Sequence, residues 1–304
     1  MKSCSCSKST SKAWSCCNRT NFSKSSLLTL GMPCYDDFDG VYFSTQSLLM
    51  YHRDVLPYMK IIIVDNNPDS IDGKQTKEYA KEIGAKYVPY GEKIGSSVAK
   101  QQIFEYADTP YVLCMDSHVM LEAGSLTKLL MYYQCNENTN DLLQGPLLSE
   151  NPTEKQVWTH LAPKWKEEMF GIWSQDPRGN DPSSAPFEIP MQGMGVFSCR
   201  RDAWVGFNKN FRGFGGEEWY IHRKFKAFGG KTLCLPFLRW NHRFRRATIP
   251  YSVTIEDKIR NYLVGFLELG LDIEGIVRHF QRDCSVSREQ IQHLLFEAKC
   301  LQNS

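Results

Sequence analysis

Tyr111-Val112-Leu113-Cys114-Met115-Asp116-Ser117-His118 is the stretch on which the reading of this chain turns. Its first five residues form the continuous apolar run of a strand buried on both faces, as in a parallel sheet. Ligands of open α/β sheets gather at the carboxyl ends of such strands. A carboxylate and an imidazole two residues apart at that place are a candidate metal site, and a metal-bound diphosphate is the ligand that suits it. Asp-x-His alone is a short pattern, and a turn aspartate followed by a surface histidine is the competing explanation.

Working back toward the N-terminus, short apolar runs alternate with helical stretches. Leu27–Met32 reads as a strand, Gly40–His52 as a helix and Lys60–Val64 as a buried strand. Lys74–Gly84 reads as a helix that Gly84 stops, Lys86–Pro89 as a strand and Ser96–Ala107 as a helix. Strands alternating with helices predict a mostly parallel sheet with covered faces, a Rossmann-like nucleotide-binding architecture. Beyond Asp116 the rhythm loosens. Ser125–Cys135 reads as a helix and Leu142–Gly145 as a strand, whereas Asn151–Pro190, rich in Trp and Pro, reads as a long functional loop system. Met191–Arg200 returns to strand, Phe211–Gly216 opens the helix Glu217–Ala227, and Leu233–Pro236 is a further strand. His242 then follows inside the basic run Arg239–Arg246.

Whole-chain numbers set limits. With 304 residues and 42% hydrophobic content the chain can bury one large core, or one core plus a small appendage. A formal charge of +2 supplies no global field for nucleic acid or membrane. No apolar run approaches the roughly 20 residues of a spanning helix, and Met1-Lys2-Ser3-Cys4 begins no apolar signal core, so a soluble, cytoplasmic protein is expected. Of the eleven cysteines, Cys114, Cys199 and Cys234 lie in apolar runs and read as reduced, core thiols. Residues 1–26, rich in Ser, Lys, Thr and Cys, read as a disordered tail; zinc on Cys4, Cys6, Cys16 and Cys17 is the alternative, with a spacing that fits no common pattern. Residues 251–304 read as a helical extension, with Asp272 capping one helix and Ser287-Arg288-Glu289-Gln290 boxing the start of another. That unit packs on the main domain or, alternatively, docks an acceptor or contacts DNA as a helix-turn-helix.

The order Pro33-Cys34-Tyr35-Asp36, Val64-Asp65-Asn66-Asn67, Gly95-Ser96-Ser97-Val98-Ala99-Lys100, Asp116-Ser117-His118, Gly193-Met194-Gly195-Val196-Phe197, Gly215-Gly216-Glu217-Glu218 and His242 resembles the GT-A glycosyltransferases. Across roughly residues 27–246 the chain looks most like the family 2 branch and its relatives. Those are the polypeptide N-acetylgalactosaminyltransferases and the galactosyltransferases with a Trp-Gly-Gly-Glu-Asp motif. The resemblance implies a GT-A domain over 27–250 and a hexosyl transfer from a nucleotide sugar, most plausibly a UDP-sugar. It also implies Mn2+ or Mg2+ as cofactor, and an acceptor hydroxyl on a saccharide, a protein or a modified nucleic-acid base.

Residue by residue, the resemblance places Pro33 and Tyr35 near the nucleotide base and Asp65 on base or ribose. A carboxylate suits Asp65's role as a hydrogen-bond acceptor, and an Asx turn with the residues that follow is its structural alternative. Gly95 and Gly195 match positions of close approach to the donor, and Lys100 stands where the family usually has Arg, keeping the charge without the bidentate fork. Asp116, His118 and His242 match the metal shell. Arg243, beside Arg239, Arg245 and Arg246, matches a phosphate contact, and Ala247–Tyr251 matches a cover loop over the donor.

Glu217 and Glu218 follow two glycines at a helix start, where the dipole alone favours acidic residues. By resemblance Glu218 is the base that takes the acceptor's proton, and Glu217 binds donor sugar or acceptor. Glu218 matches the inverting branch and His118 the retaining one, so stereochemistry stays open. A non-catalytic sugar-nucleotide or nucleic-acid-binding module on this fold is the alternative, as is a transferase acting on modified DNA bases.

Overall fold

The alternation read along the first half of the chain is a sheet with helices on both faces. The computed structural model describes residues 22, 26–151, 153–243 and 252–302. The four N-terminal cysteines, Arg245, Arg246 and the cover loop Ala247–Tyr251 lie outside the described residues. In chain order the first unit is β1 (Leu28–Cys34), α1 (Phe38–Tyr51), β2 (Met59–Asp65), α2 (Ile71–Glu82), β3 (Lys86–Pro89), α3 (Ser96–Tyr106) and β4 (Tyr111–Met115). There follow β5 (Val119–Leu121), α4 (Ser125–Cys135), β6 (Leu142–Gln144), β7 (Leu147–Leu148), β8 (Val157–Trp158), β9 (His160–Lys166), β10 (Met169–Ser174), β11 (Phe187–Glu188) and β12 (Val196–Arg200). The chain closes with α5 (Glu217–Ala227), β13 (Thr232–Cys234), β14 (Trp240–His242), α6 (Ile255–Glu268), α7 (Glu274–Arg282) and α8 (Arg288–Gln302).

The main sheet has eight strands in the order β11-β13-β6-β12-β4-β1-β2-β3. Its heart is parallel: Leu30 of β1 faces Ile61 of β2 on one side and Leu113 of β4 on the other. β12 runs antiparallel beside β4, with Val196 opposite Met115, so the start of β12 meets the end of β4. Alternation along the strands feeds two cores. Leu113 and Met115 join one with Leu30, Met32, Leu48 and Leu129, whereas Val112 and Cys114 join the other with Ile103, Phe197 and Phe225. Gly31 is required for this packing, since a Cβ there would sit 2.1 Å from Ile103 of α3. That close approach brings Lys100, one turn earlier on α3, to the carboxyl edge of the sheet.

Asn151–Pro190, expected as loop, instead carries β8 to β11. β9 and β10 pair as an antiparallel hairpin outside the main sheet, satisfying their backbones without an apolar repeat, which is why periodicity misses them. Met191–Arg200 is strand only from Val196; Gly193, Met194 and Gly195 before it line a cavity. Phe22, inside the stretch read as tail, is 8% exposed and meets Tyr58 edge-on at 4.8 Å. The seven cysteines among the described residues are free thiols. No helix of the described residues is long and apolar enough to cross a membrane.

The three C-terminal helices bury Ile259, Tyr262, Leu263, Phe280, Ile291 and Leu294 in the same core as Val112 and Phe197. Their caps match the sequence reading: Asp272 accepts from the Glu274 N–H, and Ser287 and Gln290 exchange reciprocal bonds of 3.1 Å. Asn261 of α6 grips the glycine-rich segment before α5. Its amide donates to Arg212 O at 2.7 Å and Gly215 O at 3.0 Å, and its carbonyl accepts from Arg212 N at 3.2 Å. The next residue, Tyr262, accepts from the Phe170 N–H of the hairpin at 2.8 Å. Adjacent residues of one helix thus hold two separate walls of the cavity. Asn261→Ala leaves buried backbone groups without partners and is expected to lower stability by about 2–3 kcal/mol; a urea midpoint equal to wild type would remove the clamp from the account.

Candidate active site

Asp116 leaves the end of β4 with its backbone N–H on Gly195 O at 2.9 Å. Gly195 has no room for a side chain, because a Cβ would lie 2.8 Å from the Trp240 ring and 3.5 Å from Asp116 Oδ2. His242 arrives from the other end of the chain. β14 pairs antiparallel with β5, placing His242 opposite Val119, the residue after His118. Arg243 N donates to His118 O at 3.1 Å and continues the match. Candidate ligand atoms of Asp116, His118 and His242 all lie within 4.8 Å of one another.

The two imidazoles face each other with Nε2 atoms 3.2 Å apart, and His242 Nε2 lies 3.6 Å from Asp116 Oδ2. Two ring nitrogens at that distance need a proton or a cation between them. One carboxylate and two imidazoles are a donor set that suits Mn2+, so these residues fit a divalent transition ion. His118 Nδ1 is turned the other way, onto Asp37 Oδ2 at 2.7 Å.

Lys100 sits behind Asp116, with Nζ 3.0 Å from Asp116 Oδ1 and its side chain 4% exposed. Burial opposes the charge of both groups, yet the pair outweighs it. The Asp116 carboxyl is held well below the usual range by Lys100, with His242 and His118 adding to the effect. Lys100 is raised for the reciprocal reason.

Glu217 and Glu218 begin α5 after Gly215 and Gly216, whose φ angles of +100° and +90° favour glycine. Glu217 is buried, and its carboxyl is raised by burial against the opposing pull of Lys100. Glu218 is half-buried, and burial together with the Glu217 charge pushes its carboxyl up to about 8. His222, one turn on, is pushed down to about 4 by burial, so it is a neutral ring. It donates from Nδ1 to the Glu218 carbonyl and accepts the Gln192 N–H at Nε2, 3.1 Å away. The first turn of α5 is thereby tied to the Gln192–Gly193 rim.

A cavity of about 570 Å³ gathers these groups. Pro33, Tyr35, Gly95, Lys100, Asp116, His118, Gly195, Glu217, Glu218 and His242 all line it. Asp65 and Arg243 do not. Asp65 accepts from Asn67 N at 2.9 Å and from the Tyr87 hydroxyl at 2.8 Å, the Asx turn weighed from sequence, and burial raises its carboxyl. The neighbouring Asn66 lines the cavity instead, donating to Tyr90 O and Lys93 O and accepting from Gly95 N. Arg243 Nη2 lies on Asp37 Oδ1 at 3.2 Å.

Sequence reasoning missed Asp37 and the hairpin. Asp37 is joined to His118 across 81 positions, a link no local pattern records. Met169, Phe170, Gly171 and Trp173 of the hairpin form an apolar wall opposite the charged groups, and the Trp and Phe density of the stretch was the available signal.

The sequence profile of glycosyl transferase family 2 matches residues 29–203. No curated protein matches the chain. Among solved structures, GalNAc-T7 with UDP, GalNAc and Mn2+ superposes with a TM-score of 0.65 at 13% identity, over 86% of this chain and 55% of that one. TarS residues 1–349 of S. aureus, in complex with UDP-GlcNAc, gives 0.54 at 13% identity over 90% and 79%. The mannosyltransferase PcManGT from Pyrobaculum calidifontis, in complex with GDP-Man and Mn2+, gives 0.52 at 11% identity over 92% and 74%. This chain spans about half the length of the GalNAc-T7 chain. The superpositions show a shared GT-A fold, and with the family profile covering more than half of its length, the chain belongs to glycosyl transferase family 2.

Proposed function

We propose that this protein is a metal-dependent glycosyltransferase that moves a hexosyl group from a nucleotide sugar, a UDP-sugar, to an acceptor hydroxyl. The observation that carries the reading is the convergence of Asp116, His118 and His242 in one cavity with Glu217 and Glu218. Support comes from structural neighbours solved with UDP and Mn2+, GDP-Man and Mn2+, or UDP-GlcNAc. Residues 27–250 carry the donor site in this reading and residues 251–304 brace it.

A divalent ion held by Asp116, His118 and His242 would offset the charge of the departing diphosphate. The rest is work for the chain's own groups. Lys100 keeps Asp116 ionised and presents an ammonium to the donor side. Pro33, Tyr35 and Asn66 line the nucleotide end, and the absence of a side chain at Gly195 lets the donor approach Asp116. Glu218 takes the acceptor's proton as oxygen attacks the anomeric carbon, while Glu217 orients the sugar. The apolar hairpin wall excludes water and receives the acceptor.

Hydrolysis of a panel of UDP- and GDP-sugars, with and without manganese, tests the reading directly. Turnover is expected with a UDP-sugar and manganese, and Asp116→Ala is expected to abolish the metal-dependent part of UDP affinity in a folded protein. A metal-independent donor affinity, unchanged in that variant, would reject the assignment.

Glu218→Gln keeps shape and removes the proton acceptor, so transfer is expected to fall by about 10²–10⁴-fold with donor affinity little changed. Glu217→Gln is expected to weaken sugar binding instead. An active Glu218→Gln enzyme whose product retains the donor's anomeric configuration would overturn the base assignment.

The pH profile follows from the same carboxyl. A base pushed up to about 8 is protonated and idle below that pH, so kcat/KM is expected to rise with pH and level off above about 8. A profile flat from about pH 6 to 9 would place the essential proton acceptor elsewhere.

A further inference from the structure

Asp37 stands between β1 and α1, is 6% exposed, and is surrounded by groups that converge on its two oxygens. Oδ2 accepts from Ser117 Oγ at 2.6 Å and meets His118 Nδ1 at 2.7 Å. Oδ1 receives Arg243 Nη2 at 3.2 Å. Although it occupies the cap position of α1, its side chain makes no capping bond to the helix. The carboxylate is therefore not explained by helix termination, which is the usual reason for an aspartate there.

Local packing is built around that orientation. Gly40, one turn into α1, would carry a Cβ only 2.2 Å from Asp37 Oδ2, so the carboxylate occupies the space a side chain at position 40 would fill. Ser44, a further turn on, donates to Ser117 O at 2.7 Å and fixes the backbone that presents both Ser117 and His118. An imidazole that spends Nδ1–H on a carboxylate directs the lone pair of Nε2 outward. Here outward is toward His242 Nε2 and Asp116. Through its second oxygen the same carboxylate also holds Arg243, the residue that follows the other histidine.

We propose that Asp37 is a positioning residue for the metal centre: it fixes the tautomer and ring plane of His118 and, through Arg243, anchors the strand end that delivers His242. The inference rests on Asp116, His118 and His242 being metal ligands. A carboxylate behind a ligating imidazole is worth about 10–100-fold in metal affinity.

The test titrates the full-length protein with manganese(II) alone, followed by electron paramagnetic resonance. Asp37→Ala is expected to weaken manganese about 10–100-fold. Asp37→Asn, retaining one acceptor oxygen for either His118 or Arg243, is expected to fall between that variant and wild type, and it serves where the alanine variant does not fold. Gly40→Ala leaves every polar group present but displaces the carboxylate, and is expected to weaken manganese in the same direction. Asp36→Asn removes the adjacent charge, which lies on Asn67 rather than on His118, and is expected to stay within about threefold of wild type.

A second readout does not involve the metal. Nitrogen-15 spectra of the histidines at about pH 9, where an imidazole is neutral, with His118→Gln supplying the assignment, are expected to show His118 protonated at Nδ1 in wild type and as mixed tautomers in Asp37→Ala. Manganese affinity within about twofold of wild type in both Asp37 variants would overturn the proposal, as would a wild-type His118 protonated at Nε2. A wild-type protein that leaves manganese unbound would overturn the metal reading instead, and the tautomer then decides the role of Asp37.

Discussion

Keeping Asp116 ionised at the centre of a buried sheet edge is the constraint around which the rest of the structure is arranged. An isolated carboxylate there would take up a proton rather than stay charged. Lys100 prevents this at 3.0 Å, and it reaches that place only because α3 lies tight on β1 over the bare Cα of Gly31. Gly195 makes the complementary concession on the antiparallel side, where Trp240 packs against its backbone. Two positions without side chains thus set the separation of the strands and helix that bear the charge pair. A methyl group at either would move the carboxylate or the ammonium, and with it the histidines that face them.

Glu218 has the opposite electrostatic circumstance in the same cavity. Burial and the Glu217 charge outweigh the pull of Lys100 there and leave Glu218 with a raised carboxyl. Two carboxyl groups are thus pushed in opposite directions within one cavity, one held charged by its lysine and the other left titratable. The division is maintained from outside the sheet. Asn261 fixes the glycine-rich segment that starts α5, and His222 ties its first turn to the Gln192 rim. The C-terminal helices therefore act on Glu217 and Glu218 at one remove, through the backbone that Asn261 holds.

What was legible in the sequence follows from which interactions are local. Buried parallel strands announce themselves as apolar runs, so β2 and β4 and the residues at their ends were readable, as were the capping box at Ser287 and the helix stop at Gly84. The hairpin was not, since β9 and β10 are half-covered along most of their length and repeat neither an apolar alternation nor a helical period. Asp65 and Asn66 show the limit at single-residue resolution. Asp65 ends β2 and turns toward Tyr87 and α2, whereas Asn66, the residue after it, faces the cavity. Asp37 lies further beyond reach, because its partners come from positions 117, 118 and 243.

The two halves of the cavity differ in how they are held. The charged half is made by Asp116 at the end of β4 and His242 on β14, strands paired on both sides, together with the starts of α3 and α5. The apolar half stands on a two-stranded hairpin held mainly through side chains. Among its ties to the body are the Tyr262 hydroxyl on Phe170 N, the Lys258–Glu168 ion pair, the Leu161 N–H on Met191 O, and His279, which stacks on Trp165 at 4.3 Å and bonds to Glu167 O. A substitution in the hairpin acts on a two-stranded ladder outside the main sheet, whereas one at the strand ends acts on the core that positions Asp116. A fold built this way keeps its charged groups fixed by the sheet while the apolar wall is free to change its side chains.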